Sequence, residues 1–130
     1  MFVSYNQYLE IYFCILEYYS IFTLLRLIVM VIISKAVLKE FASKYPDSEV
    51  ALTKWYNETK VANWRNFNDL KRTFNTADSI ANDRYVFDIK GNQYRLIALI
   101  IFRVRTVFIL FIGTHKEYDK IEASKIRFKR

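Results

Sequence analysis

The one histidine of the chain, His115, stands in the run Gly113-Thr114-His115-Lys116-Glu117-Tyr118-Asp119-Lys120. An imidazole exchanges protons near neutral pH. On a helix, a phenol three residues on and a carboxylate four residues on share its face. Twenty residues earlier, Arg95 interrupts an apolar strand pattern. A guanidinium in such a place needs a counter-charge, which Asp88 across a hairpin or a bound phosphate could supply. Cleavage of RNA through its own 2′-hydroxyl needs a base, an acid for the leaving oxygen and cations on the phosphorane. Arg95, His115, Tyr118 and Asp119 are the candidates for that chemistry, with Lys90, Lys116 and Lys120 as phosphate contacts. Arg103 and Arg105 end a strand, where they either blunt an edge or extend the RNA contact. Spacing alone leaves a structural role open for each of these residues. Aromatic side chains, 18% of the chain, are available to stack on splayed bases.

Other chemistries lose ground. The sequence has no glycine-rich phosphate loop, no His-Glu-x-x-His and no Gly-x-Ser-x-Gly. One histidine and one aspartate at i, i+4 give two ligands, so no metal and no cofactor are expected. The single cysteine, Cys14, excludes an internal disulfide and fits a reducing, cytoplasmic compartment. Serine is too scarce near His115 for a Ser-His-Asp set.

The elements that must position these groups are legible from periodicity. With two Gly and one Pro in 130 residues, long regular elements and short links are expected. Val31 to Ile33 reads as a short strand, and Ser34 as the N-cap of a helix with Val37, Leu38, Phe41 and Tyr45 at helical spacing. Pro46-Asp47 ends it. A second helix, from about Ser48 to Ala62, turns Leu52, Trp55, Tyr56 and Thr59 to one side. Asn68 is expected to cap a third, carrying Phe67, Leu70 and Phe74, and Asn75 to Asp83 reads as a polar link. The period then becomes two. Tyr85, Phe87 and Ile89 alternate with Val86, Asp88 and Lys90, and Lys90-Gly91-Asn92-Gln93 makes a hairpin turn in which Gly and Asn take positive φ. Tyr94 to Phe102 and Thr106 to Ile112 are apolar on both faces, hence central. Thr114-x-x-Glu117 has the spacing of a capping box. It would start a helix whose free amides offer phosphate a seat. The fold class is α+β: a small antiparallel sheet against two or three N-terminal helices, after an apolar extension.

That extension, residues 1–29, stands apart from a domain of residues 30–130. Ile11 to Ile33 is about the right length to span a membrane, but Glu17 and Arg26 would each cost about 2.5–3.5 kcal/mol at the bilayer centre. It reads as a weak membrane helix, as an apolar helix packed on the domain, or as sequence ahead of a start at Met30; the last is favoured. The net charge is +7, and from Met30 on there are 19 basic and 11 acidic residues. A basic body suits an acidic partner, whether nucleic acid, anionic membrane or acidic protein.

The pieces VFDIKGNQYRLIALI and TVFILFIGTHKEYDKI, with ISKAVLKEF and DLKRTF upstream, resemble HigB-type toxins of the RelE/ParE-like superfamily over about Met30 to Ile121. The resemblance implies a bacterial mRNA interferase that cuts mRNA on the translating ribosome. It further implies a HigA-like helix-turn-helix antitoxin, with DNA reached only through that antitoxin. Arg95, His115, Tyr118 and Asp119 match motif positions, with Lys90 and Lys120 beside them. Where this chain has Leu110, the family's last strand often carries a basic residue. A non-enzymatic binder on the same fold, such as a gyrase inhibitor or an inactive antitoxin partner, is the competing reading. A small membrane-associated basic protein is a third.

Overall fold

A computed structural model describes residues 14–17, 20 and 29–128. Most of the apolar stretch 11–33, and with it the reading of 1–29 as a separate extension, lies outside the described residues. Among the described residues no helix is long and apolar enough to cross a membrane.

The chain enters through β1 (Val31–Ile33) and turns at once into α1 (Lys35–Lys44). Ser34 occupies the N-cap position as expected, but its φ is 76° and its side chain makes no capping bond. It reverses the chain direction instead of closing the helix end. Helix α1 buries Leu38 and Phe41, one turn apart, and ends before a 3₁₀ turn at Pro46–Ser48. Helix α2 (Glu49–Val61) buries Leu52, Trp55 and Thr59, all on one face. Helix α3 (Phe67–Thr73) is capped by Asn66, whose side chain accepts from the Asp69 amide at 3.0 Å, while Asn68 sits inside the first turn. The expected cap was thus two residues late; a cap must precede the first helical residue.

The expected polar link contains a two-residue strand, β2 (Asp78–Ser79), too short to leave a period. Strands β3 (Arg84–Ile89), β4 (Tyr94–Ile101) and β5 (Thr106–Thr114) follow. The sheet order is β1-β5-β4-β3-β2. The meander is antiparallel, and β1 adds a parallel edge against β5, so the sheet is mixed and not antiparallel throughout. Register puts Tyr85, Phe87 and Ile89 with Ala98, Leu96 and Tyr94 on the side of the helices. There they meet Leu38, Phe41, Leu52, Trp55 and Leu70 in one core. Trp55 packs edge-on to Phe87 with ring centres 5.3 Å apart. Burying each such side chain stabilises the fold by about 1.5–3 kcal/mol.

The opposite sheet face carries Val86 and Ile97, also buried. The C-terminal segment crosses it: Arg84 Nε donates to the Ile126 carbonyl at 2.9 Å, and Phe128 lies against Phe108. Ile97 pairs with Phe111 and Ala98 with Ile109, so Leu110 is the extra residue of a β-bulge. This outer face, at the end bearing the β3–β4 turn, is where the polar residues gather.

Candidate active site

The turn between β3 and β4 is Lys90-Gly91-Asn92-Gln93, but the positive φ values fall on Lys90 (54°) and Gly91 (66°), not on Gly91 and Asn92. The Gln93 carbonyl accepts from the His115 amide at 3.2 Å, which fastens the start of α4 (His115–Asp119) to the turn. The capping box is present in full. Thr114 Oγ1 accepts from the Glu117 amide at 3.2 Å, and Glu117 Oε2 accepts from the Thr114 amide at 2.8 Å. Just before it, Gly113 stands opposite Arg95. A Cβ there would strike the Phe111 ring and come within 2.7 Å of Glu117 Oε2. The capping box therefore closes only over a residue without a side chain.

Those same bonds narrow one expectation. At the start of α4 the amides of Thr114, His115 and Glu117 are already bonded, which leaves that of Lys116 to meet a phosphate. With only five residues, α4 has little dipole to add. Anion binding here falls mainly to side chains.

Four of the expected residues come together, joined by a fifth. Asp88 and Arg95 are directly paired across β3 and β4. Asp88 Oδ1 lies 2.7 Å from Arg95 Nη1, and the two side chains are only 20% and 18% exposed. Arg95 Nη2 is 3.3 Å from His115 Nε2, and His115 Nδ1 is 3.1 Å from Asp119 Oδ2. The Tyr118 ring covers the guanidinium, its centre 5.5 Å from Cζ. The four side chains form a line, Asp88–Arg95–His115–Asp119, with Tyr118 over its middle.

Donor and acceptor rules settle the histidine. A guanidinium can only donate, so His115 Nε2 is an acceptor; a carboxylate can only accept, so Nδ1 carries the proton. Both contacts are met at once by the Nδ1–H tautomer, which leaves a lone pair on Nε2. Arginine is less fully matched. Its contact with Asp88 is close but poorly aligned, and among the described residues Arg95 Nε and Asp88 Oδ1 lack a well-formed hydrogen bond. Unused donors in a half-buried guanidinium fit an anionic ligand that the pair can take up.

The remaining candidates are dispersed. Lys116, on α4, and Lys120, directly after it, are exposed. Lys90 turns the other way: its Nζ is 2.7 Å from Asp47 Oδ2 on the helix side of the sheet, where Tyr94 also donates to Asp47 at 2.7 Å. Arg103 and Arg105 lie at the opposite end of β4, roughly 20 Å along the strand from Arg95. Arg103 is exposed, and Arg105 donates to Asn63 Oδ1. Sequence reasoning missed Gln93 and Gly113, since a backbone carbonyl has no side-chain signature. Gly113 did leave one: a glycine directly before a capping box.

Comparison with known proteins gives the family. Residues 48–121 match the family model of the HigB toxin, described as the RelE-like toxic component of a toxin–antitoxin system. The chain is 37% identical over 94 residues to the mRNA interferase HigB of Escherichia coli O6:H1, covering 71% of this chain and 91% of that protein. It is 32% identical over 92 residues to the mRNA interferase toxin HigB of Escherichia coli K12, covering 69% and 88%. The mRNA interferase HigB of Shigella flexneri gives the same figures.

Proposed function

The chain belongs to the HigB toxin family, the RelE-like toxic component of toxin–antitoxin systems, and from that premise we propose that it cleaves mRNA on the translating ribosome through the RNA's own 2′-hydroxyl, without a metal ion. The observation that carries the reading is the 3.3 Å approach of Arg95 Nη2 to His115 Nε2, which sets a phosphate-binding guanidinium beside the ring nitrogen that would act as base. A scissile phosphate drawing the guanidinium to itself would uncover Nε2. That nitrogen then accepts the 2′-hydroxyl proton as the 2′-oxygen attacks phosphorus. Arg95, with Lys116 and Lys120, offsets the charge that builds on the phosphorane oxygens. Tyr118, over the guanidinium, gives its proton to the departing 5′-oxygen. Asp119 holds the Nδ1–H and stabilises the imidazolium that forms. The products are a 2′,3′-cyclic phosphate and a free 5′-hydroxyl.

The partners follow from the family. A HigA-like antitoxin with a helix-turn-helix domain would neutralise the toxin and carry the pair to its operator, so that DNA is contacted only through it. Residues 30–130 form the toxin domain in this reading, with 1–29 as an extension. Arg103 and Arg105 serve as outlying phosphate contacts, away from the cluster, whereas Lys90 is held by Asp47 on the other face of the sheet.

Primer extension on a reporter mRNA, with and without translation, tests the proposal. Cuts within the coding region that vanish when initiation is blocked are the expected result. Intact mRNA beside impaired DNA supercoiling would replace the ribonuclease with a gyrase-directed binder.

A further inference from the structure

Within the reading above, which this inference rests on, we propose that Asp88 is a positioning residue: it holds the Arg95 guanidinium on the sheet so that His115 keeps its lone pair on Nε2. Asp88 touches no reacting atom. It acts through arginine.

The argument starts from where Arg95 stands. Its neighbours on the outer face include Val86 and Ile97, both buried, and its own side chain is 18% exposed. A guanidinium in such surroundings is costly unless a carboxylate offsets it. Asp88 is its direct cross-strand partner and lies 2.7 Å away. The groups facing His115 are few: Arg95 from β4, with Asp88 behind it on β3; Tyr118, Asp119 and Lys116 on its own helix; and the Gln93 carbonyl from the turn. Lys90, the nearest other cation in sequence, is held by Asp47 across the sheet.

Two contacts therefore fix the imidazole, and both depend on Asp88. Arg95 faces Nε2 because Asp88 holds its other nitrogen. Asp119 is 59% exposed and grips Nδ1 in competition with water. If Asp88 loses its charge, Asp119, on the far side of the ring, is the carboxylate of the cluster left to offset Arg95. Pairing with it would empty both sides of the ring at once. The imidazole then moves toward the Nε2–H form, which has no lone pair to offer a 2′-hydroxyl.

The experiment uses the full chain, whose single histidine gives one imidazole signal set. Long-range proton–nitrogen NMR, at a pH where the ring is neutral, should show the Nδ1–H tautomer in the parent. Asp88→Asn, equal in volume, should shift the population toward Nε2–H, and Asp88→Glu should restore it. In the cleavage assay Asp88→Asn should lower kcat tenfold or more while KM changes less than threefold. An unchanged tautomer in Asp88→Asn overturns the proposal, as does a shifted tautomer with unchanged kcat. If the parent does not cleave mRNA, the ribonuclease reading fails, and the tautomer of Asp88→Asn still decides the role of Asp88.

Discussion

Tyr94 and Arg95 are neighbours in β4, yet they lead to opposite faces of the sheet and to two unlike polar clusters. On the helix side, Tyr94 and Lys90 each give Asp47 a 2.7 Å contact, one to each carboxylate oxygen. That group is closed: two donors, two acceptor oxygens and aromatic packing from Phe41 and Tyr45 around the phenol ring. On the outer side, Arg95 meets Asp88 out of alignment, leaves Nε without a bond among the described residues, and shares His115 with Asp119. A polar group whose bonds are complete serves the fold, and one left partly open retains donors for something else. If the contrast holds, mutations on the two faces should separate activity from stability.

The largest effect belongs to the outer face. His115→Ala should reduce mRNA cleavage by about 10²–10⁴-fold, the range for loss of a general acid or base. Its melting temperature should stay near the parent's, because the ring is 42% exposed. Equal cleavage by parent and variant would erase the distinction between the two clusters. Arg95→Ala should follow, with about 10²–10³-fold loss of kcat as a charge-stabilising donor disappears. Arg95→Lys should recover little of it, since an ammonium cannot meet Asp88, His115 and a phosphate at once.

Gly113→Ala probes what ties the outer cluster to the sheet. The added methyl collides with the Phe111 ring and the Glu117 carboxylate, so the capping box must open. A lost cap costs about 0.5–2 kcal/mol, and a five-residue helix has little else to hold it. Cleavage should drop roughly tenfold, in step with faster exchange of the α4 amides. Retained protection of those amides would show that the cap is not what orients His115.

How far the sequence anticipates all this depends on the kind of interaction. Elements built on long periods, such as α2 and β4, are legible because burial repeats along them. The capping box at Thr114 and Glu117 and the pairing of Asp88 with Arg95 are legible too, since both depend on fixed local offsets. Ser34 is placed correctly but makes no capping bond, the cap of α3 lies two residues before the expected Asn68, and the positive φ of the turn falls on Lys90 and Gly91, not on Gly91 and Asn92. Lys90 is the instructive case. Charge and proximity in sequence point it toward the phosphate site, whereas Asp47, 43 residues away in the chain, captures it on the other face. No local pattern carries that information. The mixed sheet is hidden for the same reason, because the parallel partner of β1 lies beyond every helix in the core.

The helix-side cluster gives the smallest signals, and they should appear in stability alone. Lys90→Ala should leave cleavage unchanged while weakening the acid resistance of the Asp47 site, where the Tyr94 bond remains. The hydrogen bond from Lys90, and then that from Tyr94, hold the Asp47 carboxyl below its usual 3.8. Stability from that group is present above about pH 4 and fades as pH falls through the lower folded value. Tyr94 behaves in the opposite sense. Its hydrogen bond to Asp47, and then burial, push the phenol from 10.0 up to about 12. The folded state thus retains a proton that the unfolded chain gives up near pH 10, so this contribution is complete below pH 10 and lost between pH 10 and about 12. Tyr94→Phe should flatten the denaturation midpoint across that window while His115-dependent cleavage at neutral pH stays the same. A Tyr94→Phe protein that is stable at pH 11 yet inactive at pH 7 would mean the two faces of β4 are coupled after all.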